Sequence, residues 1–164
     1  MFSALNGLPS SVEPTKGTLS WQVDAFERLG NTALYRILQL RVNVFVVEQQ
    51  CPYPELDDQD QTAWHLQGYV DGELAAYARI LPPKADGLPI IGRVVVAPAY
   101  RGLKLGEQLM QRAMEWTRNA FPQRQIEIGA QHRLQAFYMG LGFTAVGEPY
   151  DEDGIQHIKM LSQK

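Results

Sequence analysis

A chain of 164 residues, 45% hydrophobic and 20% charged, is long enough for one domain with a real core and too short for two ordinary ones. Eighteen acidic residues against fifteen Lys and Arg leave a net charge of −3, without the basic excess that marks a nucleic-acid binder. No apolar run approaches the ~18 residues of a membrane span, and one cysteine, Cys51, excludes an internal disulfide or a cysteine-built zinc site.

The opening stretch "MFSALNGLPSSVEPTKG" has neither a basic n-region nor an apolar h-region. Residues 1–18 therefore read as a flexible lead-in, residues 19–164 as a single domain, and the cytoplasm as its compartment. "LSWQVDAF" alternates weakly and suits a first strand. "NTALYRILQLRVNVFVVEQ" carries Leu34, Ile37, Leu38, Val44 and Phe45 at helical spacing, with Asn31 or Thr32 as N-cap. "QQCPYPELDDQDQTA" is a polar loop broken by proline. Asp71-Gly72 lies between two apolar runs and predicts a hairpin. "LPIIGRVVVAP" is a buried strand stopped by Pro98. The next stretch, "GEQLMQRAMEWTRNAF", places Leu109, Met110, Ala113, Met114 and Thr117 on one face of an amphipathic helix. "RQIEIGAQ" is a further strand, and "HRLQAFYMGLGF" a short helix closed by Gly140 or Gly142. Two strands around Asp153-Gly154 finish the chain. The order β-α-β-β-β-α-β-α-β-β predicts an α/β or α+β fold with a single sheet flanked by helices.

Between the valine run and the amphipathic helix lies "AYRGLKLGEQLM". A helix start exposes unpaired N–H groups and partial positive charge, and glycines let a ligand approach closely. Arg101 and Lys104 add full charges, so the segment suits a diphosphate. The plainer reading is a surface helix whose start uses glycine for a turn. The segment is not a P-loop, since no Gly-Lys-Ser/Thr closes it, and it lacks the spacing of a dinucleotide fingerprint.

"FYMGLGF", from Phe137 to Phe143, follows after another strand. With "RGLKLG" it resembles the GNAT superfamily of acyl-CoA N-acyltransferases, in which a strand enters an R/Q-x-x-G-x-G/A loop and a later helix carries F-Y-x-x-x-G-F. Lys104 stands where the middle glycine usually sits, and Gln131 where many members have Asn. "LQLRVNVFVVEQQCPYPELDDQD", "AYARIL", "IGRVVVAPAYRG", "GAQHRLQAFY" and "YDEDGIQHIKM" look like the ElaA-like branch, with the resemblance running from about Trp21 to Met160.

That resemblance implies a mixed, mostly antiparallel sheet in which the strand from about Pro89 to Ala97 splays from the strand at about Arg124 to Ala130. It implies acetyl-CoA as cosubstrate and an amine as acceptor. The pantetheine arm would lie along Val94, Val95 and Val96, with an N–H near Val95 polarising the thioester carbonyl. The diphosphate would rest on Arg101, Gly102, Leu103, Lys104, Leu105, Gly106 and Glu107, with Gln131 bordering the cofactor. Tyr138 would be the acid that protonates the leaving thiolate. An alkyl amine is only about one part in a thousand neutral at pH 7, so a base or a desolvated pocket is needed. Candidates are Glu48, His65 and, through a water, Glu127.

Arg79 and Arg93 stand out from apolar strands, to hold a substrate carboxylate or to pair with Glu48 or Asp57. Glu55, Asp57, Asp58 and Asp60 read as a solvated loop or as an acidic rim that attracts a cationic amine. Cys51 reads as a bystander thiol, and no metal site is expected. Apolar residues in the last strands leave room for a homodimer. The alternative to an N-acetyltransferase is a non-catalytic module that binds CoA or acyl-CoA as a sensor or interaction partner.

Overall fold

The structure, a computed structural model, describes residues 17–163. Of the expected lead-in, only Gly17 and Thr18 fall among the described residues. In chain order the elements are β1 (Leu19–Ala25), α1 (Asn31–Arg41), β2 (Trp64–Val70), β3 (Glu73–Leu81), β4 (Ile90–Val96) and α2 (Leu105–Ala120). There follow β5 (Glu127–Gln131), α3 (Gln135–Gly140), β6 (Phe143–Ala145), β7 (Tyr150–Glu152) and β8 (Ile155–Ser162). All eight strands join one sheet in the order β1-β2-β3-β4-β5-β8-β6, and β7 also pairs with β8. Among the described residues only the β4–β5 pairing is parallel.

The two turn signals with aspartate and glycine form as expected. Asp71 and Gly72 both have positive φ, as do Asp153 and Gly154, the backbone that two-residue hairpins require. α2 buries Leu109, Met110, Ala113, Met114 and Thr117, the face its spacing predicts, together with Leu105. This stripe packs on Ala76, Ala78, Ile80, Ile91, Ile128 and Ala130. On the opposite face, Ile37 and Val44 meet Tyr77 and Val95. β3 lies between these layers, which is why it reads as one continuous apolar run.

Three local expectations change. The N-cap of α1 is Gly30, with Asn31 already helical and no side chain capping the end. The helix does not run on regularly to Gln49; from Val42 to Glu48 it widens into a π-helical stretch, with Gln49 N–H donating to the Val44 carbonyl. Val42, Val44, Val46 and Val47 are β-branched and favour a regular helix less than unbranched residues do. Finally, three strands rather than two close the chain, because β6 spans only three residues.

The feature that positions the site is the junction of β4 and β5. They pair at a single point, Ile90 with Glu127, where Glu127 N–H donates to the Pro89 carbonyl at 2.9 Å. β5 stays paired with β8 along its whole length, and β4 with β3. Beyond the vertex the two strands part toward their C-terminal ends. A register shift against β3 and a φ of +51° at Arg93 mark a bulge in β4, which bends it away.

Candidate functional site

The parted strands open onto the start of α2. After β4, Gly102 (φ +83°) and Lys104 (φ +57°) turn the chain into the helix. Lys104 thus holds a left-handed conformation that glycine adopts without strain, which accounts for the glycine usual there in similar loops. No side chain caps the helix. The amides of Lys104, Leu105, Gly106 and Glu107 meet no protein acceptor among the described residues. Gly102, Leu103, Lys104 and Glu107 are exposed, and Leu105 is buried as an anchor. At Gly106 an added Cβ would stand 3.9 Å from both Val96 and Phe137, so the backbone is open to a group lying along it. Four free amides, a helix start and two cations can hold a polyanion.

Ala97 N–H donates to the Ala75 carbonyl of β3 at 2.8 Å. Alternation then turns the Val95 N–H and carbonyl toward β3 and those of Val96 into the gap. Arg101 Nε donates to that Val96 carbonyl at 3.2 Å. The Val95 amide therefore cannot polarise a group in the gap; Val96, not Val95, offers its amide there. The Val95 side chain is packed with Ile37 and Tyr77, and Val94 and Val96 pack toward α2.

On the far side of the gap, Gln131 ends β5. Its Nε2 donates to Gln49 Oε1 at 3.1 Å, and its Oε1 accepts from Arg133 Nε at 3.0 Å. Tyr138, on α3, is only 7% exposed and packs against Phe137 and Phe143 with ring centroids 5.0 and 6.2 Å away. No partner meets its hydroxyl among the described residues, yet that oxygen is not sealed from solvent. Burial pushes its pKa up to about 12, so the phenol keeps its proton at neutral pH.

The base candidates separate. Glu48 is exposed at the end of the π-helical stretch and pairs with Arg101, not with Arg79 or Arg93. Glu127 sits at the closed end of the splay, paired with Lys159 at 2.9 Å. His65 is fully buried. Its Nε2 faces the Asp60 carbonyl at 3.0 Å and its Nδ1 the Tyr77 hydroxyl at 2.8 Å. A carbonyl only accepts, so Nε2 carries the proton and Nδ1 accepts from Tyr77, leaving no lone pair for a substrate. Burial lowers its pKa. The unfolded chain takes up this proton below about pH 6.5 while the folded chain does not. Stability is therefore expected to fall as pH drops from 7 to 5, by up to about 1.4 kcal/mol per pH unit. Urea unfolding across that interval checks it, and His65→Gln should flatten the slope.

Neither reading of residues 55–60, solvated loop or acidic rim, holds for its main members. Glu55 and Asp60 are buried, and only Asp58 is fully exposed among the four acids. Arg41 joins Glu55 at 2.5 Å and Asp60 at 2.7 Å. Arg79 joins Asp57 at 2.7 Å and Asp60 at 3.0 Å, and Arg93 joins Glu55 at 2.5 Å and Asp57 at 3.4 Å. Six charges close a neutral ring that straps this loop to α1, β3 and β4. Arg79 and Arg93 are thereby committed to Asp57 and its neighbours. Arg41 was not legible as a member: it sits in a helix read for its apolar spacing, and only three arginines facing three acids would have betrayed it. Cys51 is buried, its Sγ donating to the Asp153 carbonyl at 3.2 Å.

A family model described as an acetyltransferase (GNAT) domain matches residues 34–163. The protein ElaA of Escherichia coli K12 is 46% identical over 148 residues, covering 88% of this chain and 97% of its own. A Synechocystis protein of the UPF0039 group is 38% identical over 145 residues, 87% of this chain and 94% of its own. Among solved structures, an acyl-CoA N-acyltransferase from Pseudomonas aeruginosa superposes with a TM-score of 0.85 at 44% identity, covering 89% of this chain and all of its own. The crystal structure of E. coli ElaA gives 0.83 at 44% identity over the same shares.

Proposed function

The chain belongs to the GNAT acetyltransferase family, and from that membership we propose that it moves an acetyl group from acetyl-CoA to a primary amine by direct attack. The acceptor is a small molecule, a peptide or a lysine side chain. One observation carries this reading: the unpaired edge of β4 leads straight to the free amides at the start of α2. An extended arm ending in a diphosphate matches that sequence of donors.

Acetyl-CoA supplies an activated acyl thioester. The amides of Lys104 to Glu107, with Arg101 and Lys104, hold the diphosphate. The Val96 amide, and the lone pair its carbonyl keeps beside Arg101 Nε, are the gap-facing backbone groups for the pantetheine amides, and Val94 lines the same wall. Gln131 closes the other side of the gap. Tyr138, a neutral phenol at working pH, holds the proton that the departing sulfur needs. Of the base candidates, Glu48 is the exposed one, at the diphosphate end of the gap, and a desolvated acceptor pocket is the other route to a neutral amine. His65 and Glu127 serve the fold instead.

The experiment is calorimetry with CoA and acetyl-CoA, followed by thiol release in the presence of polyamines, amino acids, aminoglycosides and lysine-containing peptides. The expected result is micromolar coenzyme binding, about −8 kcal/mol, and amine-dependent thiol release. Binding with no release for any amine favours the coenzyme-binding module; no binding at tens of micromolar protein defeats both.

A further inference from the structure

Glu48 is not a free carboxylate. Its Oε1 and Oε2 accept from Arg101 Nη1 and Nη2 at 2.8 and 3.2 Å, in a bidentate pair whose side chains are 43% and 45% exposed. The neighbouring Gln49 accepts from Gln131 at the end of β5. Two consecutive residues thus tie the exit of β4 to the exit of β5, across the mouth of the splay. Behind them, Cys51 is fixed to the Asp153 carbonyl and Gln49 N–H to Val44, so the segment is held where it crosses.

We propose that Glu48 is an internal stand-in for the coenzyme's diphosphate: it occupies Arg101 in the free chain and is displaced when coenzyme arrives. The inference rests on Arg101 being a diphosphate ligand. A guanidinium offers a limited set of coplanar donors, and Arg101 Nε is already spent on the Val96 carbonyl. Glu48 takes one N–H from each Nη, the end-on pair that a phosphate would grip bidentately, which leaves only the two outer Nη hydrogens. An exposed ion pair resists displacement only weakly. A diphosphate brings more charge and also reaches the four free amides of α2, which have no protein acceptor to give up.

The test is a double-mutant cycle on CoA affinity, measured by calorimetry at one salt concentration for wild type, Glu48→Gln, Arg101→Ala and the double variant. Because the pair is exposed, none of these changes disturbs the core. Glu48→Gln should bind CoA roughly two- to fivefold tighter than wild type, the range an exposed pair allows. Arg101→Ala should bind more weakly, and adding Glu48→Gln to it should bring no gain. An equal gain in the Arg101→Ala background would reduce the effect to the removal of one negative charge, and the stand-in role would fall. It would fall equally if Glu48→Gln bound CoA no tighter than wild type. Wild type that bound no CoA would instead overturn the underlying reading of Arg101.

Discussion

Tyr138→Phe should lower turnover by about 100-fold or more, the lower end of what a positioned acid contributes, with coenzyme affinity changed by less than about twofold. The substitution removes one oxygen and keeps the ring that packs against Phe137 and Phe143. The hydroxyl makes no hydrogen bond within the described protein, so its loss strands no partner. A large stability change is therefore not expected, and the deficit should appear in kcat. Thiol release at saturating acetyl-CoA, read beside the thermal midpoint, separates the two quantities. A variant that turns over at the wild-type rate would remove Tyr138 from the chemistry and leave it as a packed aromatic.

The second large effect concerns stability. Glu55→Gln keeps its shape but removes one of the two carboxylates that Arg41 and Arg93 each pair with, leaving the ring with an uncompensated positive charge in a region where Arg41 is wholly buried. Breaking a buried pair from one side costs about 3–5 kcal/mol, because the remaining charge cannot return to water. For a chain of this size that corresponds to a fall of about 6–20 °C in Tm. Arg101→Ala breaks an exposed pair and should cost less than about 1 kcal/mol. Differential scanning calorimetry of both variants makes the comparison, and equal, small shifts would mean that the ring does not hold the loop. The ring also has an acid limit. Burial alone would raise the carboxyls of Asp57 and Asp60, but the guanidinium of Arg79 beside Asp57, and that of Arg41 beside Asp60, hold both below the usual carboxylate range. Their contribution is complete above the unfolded carboxylate value of about 4 and is lost as pH falls below it.

Local pattern carried most of the fold. The stripe on α2 and the two hairpins depend on residues close in sequence, and each forms where its spacing puts it. The loop from Arg101 to Glu107 was likewise legible, because a helix start between glycines is a local feature. What escaped depends on distant partners. The inward turn of the Val95 amide follows from the register of β4 against β3, which the bulge at Arg93 sets. Burial of Glu55 and Asp60 requires arginines from α1, β3 and β4 on one face, and a run of acids alone reads as solvated. The His65 environment is built by Asp60 and Tyr77 from neighbouring elements. β6 is too short for any alternation to show.

A crystal structure of the chain with CoA locates the coenzyme directly. The predicted complex has the diphosphate on the amides of Lys104 to Glu107 with Arg101 turned from Glu48 toward it. Its pantetheine arm lies between Val96 and Gln131, and its sulfur within about 3–4 Å of the Tyr138 hydroxyl. Coenzyme lodged elsewhere, for instance in the cavity of about 340 Å³ lined by Trp21, Arg112 and Trp116, would contradict it.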